Sequence, residues 1–199
     1  MWADAHEYLS ALSSPLGSLV TDQGLLELEG STNHFAHLVR AVVGQQLSTT
    51  AAATIGGRVL DAVGGNLSVS TISVVPDETL RGCGLSTAKL RSVRDLVQKV
   101  RDDGLDLEKI DQFSDEEIVT RLVEVRGIGV WTAQMFLIFA LNRPDVLAAG
   151  DLGIQNGVAR LFGLGTRPSP LEVSSVAKDG RWHPYATVAC LHLWRSLSS

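Results

Sequence analysis

Cysteine, lysine and long apolar runs are scarce in this 199-residue chain, and each scarcity closes off a class of chemistry. Cys83 and Cys190 are too few for a disulfide framework, a four-thiolate zinc site or an iron–sulfur cluster held by four cysteines. Both read instead as small buried hydrophobes. No apolar stretch reaches the roughly 18 to 20 residues that span a bilayer. The N-terminus, Met1-Trp-Ala-Asp-Ala-His-Glu7, also lacks the charged-then-apolar order of a signal peptide. A cytoplasmic protein with no membrane partner is expected. Positive charge is in deficit as well: 17 Lys and Arg against 22 Asp and Glu give a net charge of −5, a mild argument against a nucleic-acid partner. The cations are unevenly placed, however, with Arg81, Lys89, Arg91, Arg94, Lys99 and Arg101 close together, either a binding surface or a solvated helix face.

What is present is helical periodicity. Phe35, Leu38, Val39, Val42 and Val43 recur at i, i+3, i+4, i+7 and i+8, predicting an amphipathic helix that ends near Gly44. Gly44-Gln-Gln-Leu-Ser48 interrupts it with polar side chains, and Ser48 can cap a second helix running to Val63. Ser86 caps a longer helix whose Leu90, Val93, Leu96, Val97 and Val100 share a face, and Ser114-Asp-Glu-Glu117 is a capping box. Residues 3–13 read as a first helix punctuated by Pro15 and Gly17, 18–31 as a connector with a brief helical turn, and 168–197 as two further helices. Only the valine alternation at 69–75 resembles a strand, so the fold class is all-α, a two-lobed helical bundle.

The most informative stretch is Leu122-Val-Glu-Val-Arg-Gly-Ile-Gly-Val-Trp-Thr-Ala-Gln-Met-Phe-Leu-Ile-Phe-Ala-Leu141. Two glycines around one isoleucine, between two apolar helical segments, predict a helix-hairpin-helix over 118–141. Gly127 and Gly129 would permit positive φ and close backbone approach, and Val130 would start the second helix. The amides of Gly127, Gly129 and Val130 would then be donors suited to a phosphate, although a plain structural turn accounts for the same glycines. Asp151 opens the next helical pattern, twenty residues after Trp131. On its own it is as readily a helix N-cap as an acid with a chemical role.

Taken together, the hairpin, Asp151, the Gly44-Gln-Gln-Leu-Ser48 junction and the ending Trp182-His-Pro-Tyr…Leu-His-Leu-Trp194 resemble the helix-hairpin-helix DNA glycosylases, in particular the DNA-3-methyladenine glycosylase II branch. The resemblance covers roughly residues 33–197 and implies a compact form without the N-terminal α/β domain of some members. It implies one glycosylase unit over 1–199: lobe one approximately 34–141, lobe two approximately 1–33 plus 142–199, with an active-site cleft between them. It places the catalytic aspartate at Asp151, where one carboxylate can stabilise oxocarbenium-like charge on deoxyribose and orient water. Trp131 stands where bifunctional relatives carry a Schiff-base lysine; the four lysines, at 89, 99, 109 and 178, all lie outside the segment from the hairpin to Asp151, so no lyase activity is expected.

Trp131, Met135, Trp194 and Tyr185 are the implied walls of the base pocket, with core packing the alternative for either tryptophan. Gln45, Gln46 and Leu47 sit where the family inserts a wedge into DNA, with Gln46 or Leu47 intercalating, unless they are only junction residues. The resemblance implies that no cofactor is required. A structural Na+ or K+ would be held by the carbonyls of Val123, Val125 and Ile128, positioning DNA without cleaving a bond. The implied partner is double-stranded DNA with alkylated bases, the protein a monomer, nucleoid-associated if bacterial. Gly150 in place of an acid, Ala186 in place of an arginine and Met135 in place of a tyrosine depart from relatives and imply a roomier, less polar pocket. The rival readings are a non-catalytic DNA-binding module and a glycosylase for ethenoadenine, hypoxanthine or uracil.

Overall fold

The structure, a computed structural model, describes residues 1–102 and 104–198. Among the described residues it consists of twelve α-helices and one short 3-10 turn, with no strand. The chain divides into two compact units. One comprises Met1–Gly30 and the chain from Leu137 onward; the other is Ser31–Phe136. The second boundary falls inside a helix rather than after the hairpin at 141/142, since that helix continues past Phe136 without a break.

The Ser31–Phe136 unit holds α3 (His34–Gly44), α4 (Thr49–Ala62), α5 (Val69–Ser73), α6 (Asp77–Gly82), α7 (Thr87–Arg101), α8 (Asp115–Val123) and most of α9 (Val130–Phe139). Serine caps explain most of the starts: Ser48, Ser68, Ser86 and Ser114 each accept a backbone N–H three residues on. At Ser68 and Ser114 the N3 side chain closes a capping box. The strand-like reading of 69–75 therefore fails, because the Ser68–Thr71 box nucleates a helical turn that buries Ile72. Leu38 and Val42 of α3, Val93 and Leu96 of α7, and Ile118 and Leu122 of α8 are fully buried.

The other unit holds α1 (Trp2–Ser10), α2 (Pro15–Gln23), α10 (Leu152–Leu161), α11 (Pro170–Asp179) and α12 (Ala186–Ser196). Residues 15–23 form a full helix where the sequence suggested punctuation and then a connector with only a brief helical turn. Ser14 accepts the Gly17 amide and Pro15 occupies the first helical position, where its missing N–H costs nothing. Every residue from Ala186 to Leu193 is buried, so α12 is the central helix of this unit, packed by α1, α2 and α10.

Candidate active site

The hairpin is built in the Ser31–Phe136 unit. Helix α8 ends at Val123, and Val125 and Ile128 are buried beneath the turn. Gly127 has φ 77°, and a Cβ there would stand 2.3 Å from Ser92 Oγ of α7. Only glycine meets both demands. Gly129 differs from expectation: it is not in the left-handed region, and a Cβ there would meet nothing within 4 Å. Its carbonyl accepts the Ala133 N–H, so Gly129 caps α9 and the amides just beyond it begin that helix. Among the described residues nothing requires a glycine at 129.

Three long-range ties hold this turn, none of them visible as a motif. Gln45 Nε2 donates to the Gly127 carbonyl at 2.9 Å and reaches Thr132 Oγ1 at 3.4 Å. Asp95 of α7 accepts the Arg126 N–H at 2.7 Å, and Lys99 pairs with Glu124 at 3.7 Å. Gln45, one of the three residues at the wedge position, is therefore tied to the hairpin turn. Gln46, next to it, is exposed and held at φ 57°, which costs a non-glycine residue about 1–2 kcal/mol. Leu47 is exposed too.

Most of the basic run is likewise committed within the fold. Lys89 Nζ donates to the Val43 carbonyl at the end of α3, and burial lowers its pKa. Arg94 donates to the carbonyls of Ile72 and Val75 and pairs with Asp77. Arg101 pairs with Asp102.

Trp131 lies on the first turn of α9 with half its surface exposed, so it is not core, and Met135, one turn on, is half-buried. In the hairpin, the Val125 carbonyl accepts the Ile128 N–H at 3.0 Å, leaving it one lone pair. Neutral carbonyls such as those of Val123, Val125 and Ile128 suit a hard monovalent cation.

In the other unit, Asp151 caps α10: its Oδ1 accepts the Ile154 N–H at 2.9 Å. The same oxygen accepts the Trp194 indole N–H at 2.8 Å. Trp194 in turn stacks on Phe139, ring centroids 5.9 Å apart and planes at 29°. The cap reading of Asp151 therefore holds, and the sequence pattern carried no sign of the indole bond. The backbone around Asp151 is fixed by the bond from its own N–H to the Ala148 carbonyl and by Gln155 Nε2 donating to the Ala149 carbonyl. Tyr185 is not brought to Trp194. It begins α12, nine residues or about 13 Å of helix away, with its ring 5.5 Å from that of Tyr8. His192 is buried, with Nδ1 against Gln23 Oε1 at 2.9 Å, and burial first, then His6 and Arg195, lowers its pKa to about 4. Burial raises the Cys190 thiol to about 12, consistent with a structural cysteine.

Residues 39–180 match the family model of the HhH-GPD superfamily base excision DNA repair proteins. The DNA-3-methyladenine glycosylase 1 of Schizosaccharomyces pombe is 34% identical over 166 residues, 81% of this chain and 72% of the relative. Of a Bacillus subtilis relative, 30% identical over 167 residues, the match spans only 58% of the length. Among solved structures, the DNA-3-methyladenine glycosidase of Bacillus halodurans superposes with a TM-score of 0.86 at 36% identity, covering 96% of this chain and 88% of that one. The S. pombe 3-methyladenine DNA glycosylase, solved in complex with abasic DNA, gives 0.86 at 32%, covering 98% and 97%.

Proposed function

Because this chain belongs to the HhH-GPD superfamily of base excision DNA repair proteins, we propose that it is a monofunctional DNA glycosylase acting on alkylated purines of the 3-methyladenine and 7-methylguanine type in duplex DNA. The observation that carries the reading is the Asp151 carboxylate, held by a helix N-terminus and an indole N–H in a chain whose relatives bear the name DNA-3-methyladenine glycosylase. An alkylated purine already carries positive charge, so breaking its bond to C1′ releases a neutral base without a strong general acid. The electron pair of that bond goes to the base, and charge develops on the deoxyribose. Asp151 stabilises that charge, water adds at C1′, and its proton passes to solvent, leaving an abasic site. The amides at the start of α9 would hold a DNA phosphate, with a monovalent cation on the hairpin carbonyls reinforcing the grip. An aromatic side chain at Trp131, and lysines confined to 89, 99, 109 and 178, favour base removal without strand cleavage.

The test is chromatography of bases released from methylated duplex DNA. Wild type should release 3-methyladenine and 7-methylguanine, and the product strand should break only on alkali treatment. Asp151→Asn should cut release by at least about a hundredfold. Asparagine caps a helix as well as aspartate does, so that loss would come without a loss of fold. Tight binding of abasic DNA with no release of any base would instead mark a non-catalytic binding module.

A further inference from the structure

The bond between Trp194 and Asp151 depends on a third residue. Gly153 stands at the second position of α10, and a Cβ built on it would lie 2.9 Å from Asp151 Oδ1, 2.9 Å from Trp194 Cδ1 and 3.0 Å from Trp194 Nε1. Gly153 is not in the left-handed region, so its backbone does not call for glycine; the indole does. Phe139 supports the ring, and Gly153 leaves the gap through which Nε1 reaches Oδ1. That oxygen then receives two donors, Ile154 N–H along the helix axis and Trp194 N–H from α12, which fixes the plane of the carboxylate.

We propose that Trp194 and Gly153 are positioning residues that clasp the Asp151 carboxylate, Trp194 by its N–H and Gly153 by its missing side chain. This rests on the glycosylase reading. It gives Trp194 a task separate from stacking on an extruded base: a stacking ring needs only its face, a clasp needs its nitrogen. Trp194→Phe keeps an aromatic face on Phe139 and removes the donor, whereas Gly153→Ala keeps the donor and blocks its seat. Misplacing a catalytic group by about 1 Å can cost on the order of a hundredfold in rate.

The decisive experiment is single-turnover base release from methylated duplex, paired with binding to abasic DNA, on the full chain. Both variants should lower the release rate by about ten- to a hundredfold while binding of abasic DNA stays within about twofold. In the 15N-labelled protein, the indole peak that Trp194→Phe removes should shift in Gly153→Ala and in Asp151→Ala. Full-rate release by Trp194→Phe, or an indole peak unmoved in both other variants, would overturn the clasp and leave the glycosylase reading standing. Weakened binding of abasic DNA with an unchanged release rate would do the same and leave Trp194 a structural support of the DNA-binding surface. No base release by the wild type would sink the glycosylase reading and the clasp together.

Discussion

Gln45 and Gly127, 82 positions apart, are joined by a 2.9 Å hydrogen bond from the side-chain amide to the turn carbonyl. The loop between α3 and α4 and the helix-hairpin-helix turn are thereby one mechanical piece. Gln45→Ala should lower stability by about 1 kcal/mol, the net worth of such a bond. Abasic-DNA affinity should fall with it, because the amides behind the turn lose their support. Thermal melts and DNA titration check both.

Gln46 offers a test of opposite sign. Glycine relieves the φ of 57°, so Gln46→Gly should gain about 0.5–1 kcal/mol once the extra backbone entropy of glycine is counted. Strain retained on an exposed side chain points to a use for that side chain. Base release should therefore drop in the variant even as its melting temperature rises. A drop in Leu47→Ala and none in Gln46→Gly would assign insertion to the leucine.

The two hairpin glycines should separate cleanly. Gly127→Ala combines a left-handed backbone with a Cβ 2.3 Å from Ser92 Oγ and should cost about 2–4 kcal/mol of stability. Gly129→Ala meets no protein atom within 4 Å and should stay within about 1 kcal/mol of wild type. Its methyl group would nevertheless stand in the way of a phosphate, and loss of one amide–phosphate bond of about 1.5 kcal/mol weakens DNA binding roughly tenfold.

His192 sets a pH dependence. In the folded chain it stays neutral down to about pH 4, whereas in the unfolded chain it protonates near 6.5. Between those values the unfolded state binds more protons, so stability is fully present above pH 6.5 and is lost as the pH falls toward 4. His37, depressed by burial and by Arg40 and His34, acts in the same direction. A melting-temperature series should show the decline, and His192→Gln should flatten part of it.

Helix starts were legible because they are written locally: a serine accepts an amide three residues on at Ser48, Ser86 and Ser114. The same local chemistry misled where its partner was disguised. Ser14-Pro15 looked like punctuation but is a cap followed by a first-turn proline, and Ser68 with Thr71 lay inside a valine alternation. The hairpin and the cap of α10 at Asp151 were legible from residue type and spacing. Their supports were not, since Asp95 to Arg126 and Trp194 to Asp151 cross 31 and 43 positions and leave no periodic trace. Gly129 does not adopt the left-handed conformation that its residue type permits, because a glycine signals backbone freedom without requiring its use.

The cations of α7 have a last consequence. Lys89 and Arg94 are tethered to carbonyls of the protein itself, which restricts how far their charges can reach toward a duplex. If DNA is gripped mainly through the neutral amides at the start of α9, as proposed, the logarithm of affinity should change only shallowly with the logarithm of salt concentration. On the proposed function, an acidic chain would meet its polyanion with little long-range attraction and would search by brief, short-range encounters rather than by sliding in an electrostatic trough.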